Sequence, residues 1–433
     1  MKKYVIPSGA KSLWNKVYYG KYANWPKTAW FHFIISRTVY ENVRKRARRH
    51  PDKPLRVIFF VLDISMWKYE SLFELLLADS RFDPIIVPYS IDWHSVEEQK
   101  KSEKGIIDYC RIHAFPYLIG YDIDTKEYLP AKALCADFVS WSQPYNNCPV
   151  FWKVEQFYKN ALVFTYPYGL PIDNNKHFNN LLSQNVSWRL FYNNRASKDV
   201  FDKNPFTRGR NFRYVGNVFY DKIKQHSAKG SHWKPTDFRL KRIIWAPHHT
   251  IGENDDLPFS NFLKLCDEFV AIAHKFEGRA LFAFKPHPLL YHRLLELWGK
   301  EKTDEYYQQW SDMPNTCYVS GDYTDLFLTS DAMIHDCAGF TFEYLFTNNP
   351  VMFVNMRDND MKKYMPGFSY QCYTQHYIGR SVEDIEDFIE HVVIEEKDDK
   401  AGPRSAFVNG ELLPPRGKSV GENMMEEFLS VLK

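Results

Sequence analysis

The sequence predicts an α/β protein made of two Rossmann-like domains facing a cleft, with an N-terminal basic helical arm. Three observations carry this. An unbroken apolar run at 55–62 (LRVIFFVL), rich in β-branched and aromatic residues, reads as a buried parallel strand; helical spacing at 68–79 and a second short strand at 84–88 follow it. The same strand–helix rhythm restarts at 242–247 and runs to 350–354. A chain of 433 residues also exceeds one ordinary core and suits two domains.

The arm spans 1–53. It holds thirteen Lys or Arg against Glu41 and Asp52, interleaved with Trp14, Tyr18, Tyr19, Tyr22, Trp25, Trp30, Phe31 and Phe33. Cations beside interfacial aromatics suit an anionic membrane surface. The other reading is a helix packed on its own domain, with Arg44, Lys45, Arg46, Arg48 and Arg49 solvated. The first domain is expected at 54–225, with further strands at 137–140, 162–165 and 188–191. A polar stretch at 225–237, holding Gly230 and Pro235, reads as a linker. The second domain is expected at 238–400. Its strands fall near 280–285, 317–319, 332–335 and 350–354, with helices at 259–276, 289–298, 323–329 and 341–347. A closing tail helix lies within 401–433, with Ser419 as its cap. Two such domains describe the GT-B architecture, whose ligands sit at the carboxyl ends of strands, so the loops after strands are where chemistry is sought.

Composition narrows the classes. A net charge of +3 argues against a nucleic-acid binder. The 28 Tyr, 33 Phe and 12 Trp suit polysaccharide handling but are read first as a habit of composition. No run reaches the ~18 apolar residues of a membrane span, and no signal-peptide pattern opens the chain. Seven scattered cysteines without a CxxC indicate neither a disulfide framework nor a zinc ribbon. The expected compartment is the cytoplasm, on the inner membrane face. No GxGxxG, HExxH or Cys/His cluster of metal-ligand spacing is found, so neither a metal nor a cofactor is expected.

Three loops carry candidate chemistry. Trp245-Ala-Pro-His-His-Thr250 follows a strand, and an imidazole there suits a base or a phosphate donor. Alternation along an extended chain predicts that at most one of His248 and His249 faces the cleft. Lys285-Pro-His-Pro288 holds His287 between two prolines at another strand end. In the third, His335 and Asp336 precede the small pair Ala338-Gly339 and a helix carrying Thr341 and Glu343. Backbone N–H groups at such a turn suit an anion, and Glu343 suits ribose hydroxyls. Each loop also has a plainer reading: a proline-made surface turn, a satisfied loop histidine and a generic strand–helix turn.

These loops, in this order, resemble the CDP-glycerol glycerophosphotransferase family of teichoic-acid primases and polymerases. The likeness is clearest from 215 to 354. Val215-Gly-Asn217 with Tyr220-Asp221, the Lys285-Pro-His-Pro288 loop, Asp325-Leu326, Ser330-Asp331, His335-Asp336, Phe342-Glu-Tyr-Leu345 and Asn349-Pro350-Val351 carry it. The first domain matches loosely, through 63–67 and Tyr166-Pro-Tyr-Gly169. Ala338 and Gly339 stand where the family usually places serine. The resemblance implies transfer of a polyol phosphate, foremost glycerol phosphate from CDP-glycerol, onto a hydroxyl of a cell-surface glycan or lipid-linked precursor, releasing CMP. It implies a base at His248 or His249, phosphate stabilisation by His287, and donor binding by Lys285, Asp336, Ala338, Gly339, Thr341 and Glu343. Asp63, Ser65 and Trp67, after the first strand, are the acceptor-side candidates. The rival readings are a GT-B glycosyltransferase using a nucleotide sugar and a non-catalytic glycan- or membrane-binding relative.

Overall fold

The computed structural model describes residues 25–433 except 92–93, 144–148, 168–180, 205, 237–238 and 253–258. Residues 1–24 of the arm, with Trp14, Tyr18, Tyr19 and Tyr22, and Tyr168 and Gly169 therefore lie outside the described residues. The chain forms two compact units. Among the described residues, unit 1 comprises those up to Val218 together with Pro414–Lys433, and unit 2 comprises those of Phe219–Leu413.

Unit 1 is built on β1 (Leu55–Val61), β2 (Phe82–Pro88), β3 (Phe138–Trp141), β4 (Leu162–Thr165), β5 (Arg189–Tyr192) and β6 (Phe212–Tyr214). They form one parallel sheet in the order β2-β1-β3-β4-β5-β6. The apolar run of β1 is continuous because both faces are covered. Val57, Phe59 and Val61 enter one core, and Ile58, Phe60 and Leu62 enter the other. Helix Ser36–Arg49 inserts Val39 and Val43 into the first of these cores. Arg46 pairs with Asp137 at 2.6 Å, while Arg44 and Arg48 both donate to the Lys433 carbonyl. The helix is thus packed on unit 1, with Arg44, Arg46 and Arg48 partnered rather than merely solvated.

The end of the chain corrects the expected layout. Helix Val420–Leu432, closed by the Ser419–Glu422 capping box, buries Val420, Met424, Phe428 and Val431 in the same core as β1. It is part of unit 1 rather than a separate tail. Gly421 allows the approach, since a Cβ there would lie 2.7 Å from the Ser71 backbone. Gly216 (φ 98°) likewise leaves room for Pro414, and Tyr166 donates its hydroxyl to the Gly216 carbonyl.

Unit 2 repeats the architecture with β7 (Lys241–Ala246), β8 (Ala280–Phe284), β9 (Thr316–Tyr318), β10 (Ala332–His335), β11 (Val351–Val354) and β12 (Tyr377–Gly379). All neighbours are parallel, in the order β12-β11-β10-β7-β8-β9. The order reverses between β7 and β10, which makes the space beyond their carboxyl ends the topological switch point. Aromatic residues fill the core. Trp245 stacks on Phe269 at 4.1 Å and meets Trp310 at 5.3 Å, pairs that add about 0.5–1.5 kcal/mol each beyond their buried area. The aromatic richness is thus in large part core packing.

The expected linker is not one. Asp325 accepts hydrogen bonds from the Lys229, Gly230 and Ser231 N–H groups, and Trp233 is buried with its indole N–H on Thr329. These bonds pin 229–233 to unit 2, so the boundary falls at Val218/Phe219, ahead of the polar stretch. Composition alone hid this, because one carboxylate satisfies three loop N–H groups. The fold class itself is as expected: α/β with two Rossmann-like units.

Candidate functional site

The three loops of unit 2 meet at the switch point. The ladder between β7 and β8 continues past the strands: Lys285 N–H donates to Trp245 O at 2.8 Å and His287 N–H to Pro247 O at 3.0 Å. This continuation sets His287 beside the two preceding histidines. Ring centroids lie 4.3 Å apart for His249–His287, 5.2 Å for His248–His287 and 4.4 Å for His248–His249. Alternation along the strand predicts that at most one of His248 and His249 faces the cleft; the structure brings both rings into the cluster with His287. Strand alternation ends at Pro247, and the chain bends so that Ile251 N–H reaches the His249 carbonyl at 2.9 Å.

His287 and His248 are each held by a local hydrogen bond. His287 is the N-cap of helix Pro288–Trp298, and its Nδ1 accepts the Leu289 N–H at 3.2 Å. A lone pair on Nδ1 leaves the proton of the neutral ring on Nε2, so His287 presents a donor. His248 Nδ1 lies 2.9 Å from the Thr250 hydroxyl. Burial pushes the His248 pKa down to about 3, with the neighbouring His249 and His287 adding to the shift. His287 is lowered to about 4, by burial first and then by His249 and Lys285. Both rings are therefore neutral near pH 7, and a bound anion would oppose the effects that disfavour their cationic forms.

Lys285 sits beside them. It is buried, its ammonium lies 5.7 Å from the Tyr323 ring centroid, and burial lowers its pKa against weak support from Cys337 and Asp322. No carboxylate forms an ion pair with it among the described residues. A buried ammonium without a counter-ion is costly, and an anionic ligand would relieve that cost.

Asp336 has a different place from the one expected. It is fully buried at the end of β10, and both carboxylate oxygens are taken. Oδ1 accepts the His248 N–H at 2.6 Å; Oδ2 accepts the Asn261 N–H at 2.6 Å and its side-chain amide at 3.3 Å. Burial raises its pKa to about 6 in spite of these bonds. It ties the histidine loop to the start of helix Phe262–Lys275 and has no free face for a donor. Thr341 is corrected similarly: it is buried, and its hydroxyl donates to Cys337 O at 3.2 Å. Ala338 is buried, whereas Gly339 is exposed with ordinary helical φ, and a Cβ there would meet nothing within 4 Å. Glu343 is half-buried and accepts a hydrogen bond from the Tyr323 hydroxyl.

Asn261 and Tyr323 went unread in the sequence. Asn261 precedes a helix, a position where its residue type is common, and Tyr323 stands two residues before the first aspartate of the family-like block. Neither pattern announces a partner 75 or 20 residues away. Sequence spacing shows no metal-ligand pattern, but the fold brings three histidines together. The nitrogens of His248, His249 and His287 lie within 4.8 Å of one another, a set that could hold a metal ion. An ion would need all three at about 2 Å from one centre, and His287 would have to give up either its Nε2 proton or its bond to Leu289.

In unit 1, Asp63 caps a short turn, accepting the Ser65 N–H at 2.9 Å and hydroxyl at 2.6 Å. Both residues reach solvent. Trp67 does not: it is 5% exposed and packs against Phe59, Tyr69 and Phe73. The turn after β1 folds it back into the core, which removes it from the acceptor-side set.

Among known proteins, residues 233–410 match the family described as CDP-Glycerol:Poly(glycerophosphate) glycerophosphotransferase. The wall teichoic acid polymerase TagF is similar in structure, with a TM-score of 0.55 at 14% identity, covering 95% of this chain and 98% of that one. A TagF variant soaked with CDPG gives 0.53 at 12% identity, covering 94% and 96%. The UDP-GlcNAc 2-epimerase of Neisseria meningitidis, bound to UDP-GlcNAc, gives 0.51 at 12% identity, covering 87% and 99%. No curated protein matches the chain in sequence. The structural likenesses establish a GT-B-like fold, and the family match bears out the resemblance carried by the three loops.

Proposed function

We propose that this chain, whose residues 233–410 match the glycerophosphotransferase family, is a CDP-glycerol glycerophosphotransferase-like enzyme that transfers glycerol phosphate from CDP-glycerol to a hydroxyl of a cell-surface glycan or its lipid-linked precursor. The observation that carries this reading is the meeting of three imidazoles with a buried lysine that forms no ion pair among the described residues, at the switch point of unit 2. The acceptor oxygen bonds to the glycerol-bearing phosphorus while the bond to the bridging oxygen breaks. CMP leaves with that oxygen, and the acceptor proton passes to an imidazole. Such a transfer asks for positioning and charge stabilisation more than covalent help. Lys285 and the Nε2–H of His287 hold the pyrophosphate, and its negative charge lifts the imidazole pKa values toward the range in which His248 or His249 serves as base. Asp336 positions the histidine loop. Glu343, held by Tyr323, is the candidate for the nucleoside hydroxyls, and Asp63 and Ser65 remain candidates on the acceptor side.

No helix among the described residues is long and apolar enough to cross a membrane. Peripheral attachment to the inner membrane face fits the exposed Trp30, Phe33 and Ile34 and the cations Lys45 and Arg49, for which no ion pair is formed among the described residues.

Incubation with CDP-glycerol and, separately, with UDP-sugars tests the proposal. CMP should appear with the first and no UDP with the second, with or without EDTA. UDP release would favour the glycosyltransferase reading, and binding of CDP-glycerol without turnover the non-catalytic one.

A further inference from the structure

Unit 1 contains a cavity of about 690 Å³ between residues 31–40, the starts of β4 and β5, and the turn at 206–211. Its lining includes Arg37, Arg189, Arg208 and Arg210 and, among the described residues, no Asp or Glu. Arg189 is committed to Glu427. Among the described residues, Arg210 donates to the backbone carbonyls of Thr207 and Phe206 and forms no ion pair. Arg37 and Arg208 are exposed and form no ion pair among the described residues. Apart from Arg189, the cavity is thus a concentration of positive charge with no acidic partner among the described residues.

The uncharged polar groups there are largely occupied. The Ser36 hydroxyl donates to His32 O, the Ser187 hydroxyl to Ser183 O, and the Asn211 amide to Gln184 O and Ser187 O. A sugar or a base would find little to read. The rest of the lining is apolar or aromatic, with Phe31, Val39, Leu162, Trp188 and Phe206, and Phe33 stands 82% exposed at the rim. Cationic groups beside bare hydrocarbon match a ligand that is itself part anion and part hydrocarbon.

We propose that this cavity binds a lipid phosphate, with the phosphate held by Arg37, Arg208 and Arg210 and the chain lying along Phe31, Trp188 and Phe206. For its physiological ligand it rests on the lipid-linked acceptor proposed above; the binding itself involves none of the histidines. The site would give the protein a hold on individual lipid molecules in addition to any general attraction to an anionic surface.

Calorimetric titration of the full chain, paired with tryptophan emission because Trp188 lines the cavity, tests it with three probes: decyl phosphate below its micellar concentration, inorganic phosphate and decanol. Decyl phosphate should bind at least about tenfold more tightly than either other probe. The double variant Arg37→Glu, Arg208→Glu should bind it about 100-fold more weakly, about tenfold for each guanidinium taken from the phosphate. Both side chains are exposed, so the variant should melt like wild type and release CMP from CDP-glycerol normally with a short soluble acceptor. Inorganic phosphate binding as tightly as decyl phosphate would overturn the lipid assignment. Equal affinity of variant and wild type for decyl phosphate, or no binding at all, would overturn the site. Because binding is read without turnover, a wild-type protein that releases no CMP would count against the proposed transfer and leave this site standing.

Discussion

The two units carry the same kind of parallel sheet, yet what lies beyond their switch points differs. In unit 1 the order turns between β1 and β3. There Leu62 N–H donates to the Ser142 hydroxyl, Ser102 donates to Leu62 O, Asp63 caps its own turn and Trp67 folds into the core. In unit 2 the order turns between β7 and β10, and the polar groups there are only partly satisfied: Lys285 has no counter-ion among the described residues and His287 presents a donor. A Rossmann-like sheet supplies a place for chemistry, but the residues after its strands decide whether the place is closed internally or left open to a ligand.

The contrast is broken most strongly at His287. His287→Ala should lower transfer by about 10²–10⁴-fold with the melting temperature little changed, whereas Asp63→Ala should act only on the acceptor KM. Near-normal turnover of the histidine variant would remove it from the reaction. Next is Asp336→Ala, which leaves the His248 and Asn261 N–H groups buried without an acceptor, at about 1–3 kcal/mol for each. Denaturant unfolding should show a loss on that scale, and a loss under about 1 kcal/mol would contradict the positioning role.

The titrating groups make a finer test. The folded pKa values of His248 and His287, about 3 and about 4, lie below the unfolded value of about 6.5. Their contribution is complete above about 6.5 and is lost as pH falls from there toward 4 and then 3. Asp336 runs the other way. Its folded pKa of about 6 exceeds the unfolded value near 3.9, so its contribution is present below about 3.9 and is lost as pH rises through 6. Melting temperatures of the ligand-free protein should therefore fall with acid between pH 6.5 and 4. The fall should be shallower in His287→Gln and steeper in Asp336→Asn, and three parallel curves would refute these assignments. The smallest expected effect is at Gly339→Ser. The side chain has room, so the fold should be unchanged and the donor KM should drop about two- to tenfold, the worth of one added hydrogen bond. An unchanged KM would show that the position does not meet the phosphates.

Much of this was legible before the structure. The run at 55–62 and the restart at 242–247 located both sheets, because a strand buried on both faces must be apolar throughout. The two prolines around His287 marked a fixed loop. What sequence spacing could not show was convergence: His248 and His287 meet through ladder bonds between loops 39 positions apart. Asp336 and Thr341 looked like ligands because their side chains can bind phosphate or ribose partners, and only burial reveals that both are spent internally. Trp67 failed for a related reason, since a loop tryptophan in sequence has no sign for inward or outward. The linker failed because its polarity is satisfied by one distant carboxylate.

The central claim is that the imidazoles of unit 2 meet the donor's pyrophosphate. Nitrogen-15 NMR of histidine-labelled protein, titrated with CDP-glycerol at several pH values, addresses it directly. The free protein should show His287 as the Nε2–H tautomer with a pKa near 4. Saturating CDP-glycerol should shift the His287 resonances and raise that pKa toward neutrality, with His248 or His249 moving as well. His287 resonances that ignore saturating CDP-glycerol, while the nucleotide demonstrably binds, would contradict the account.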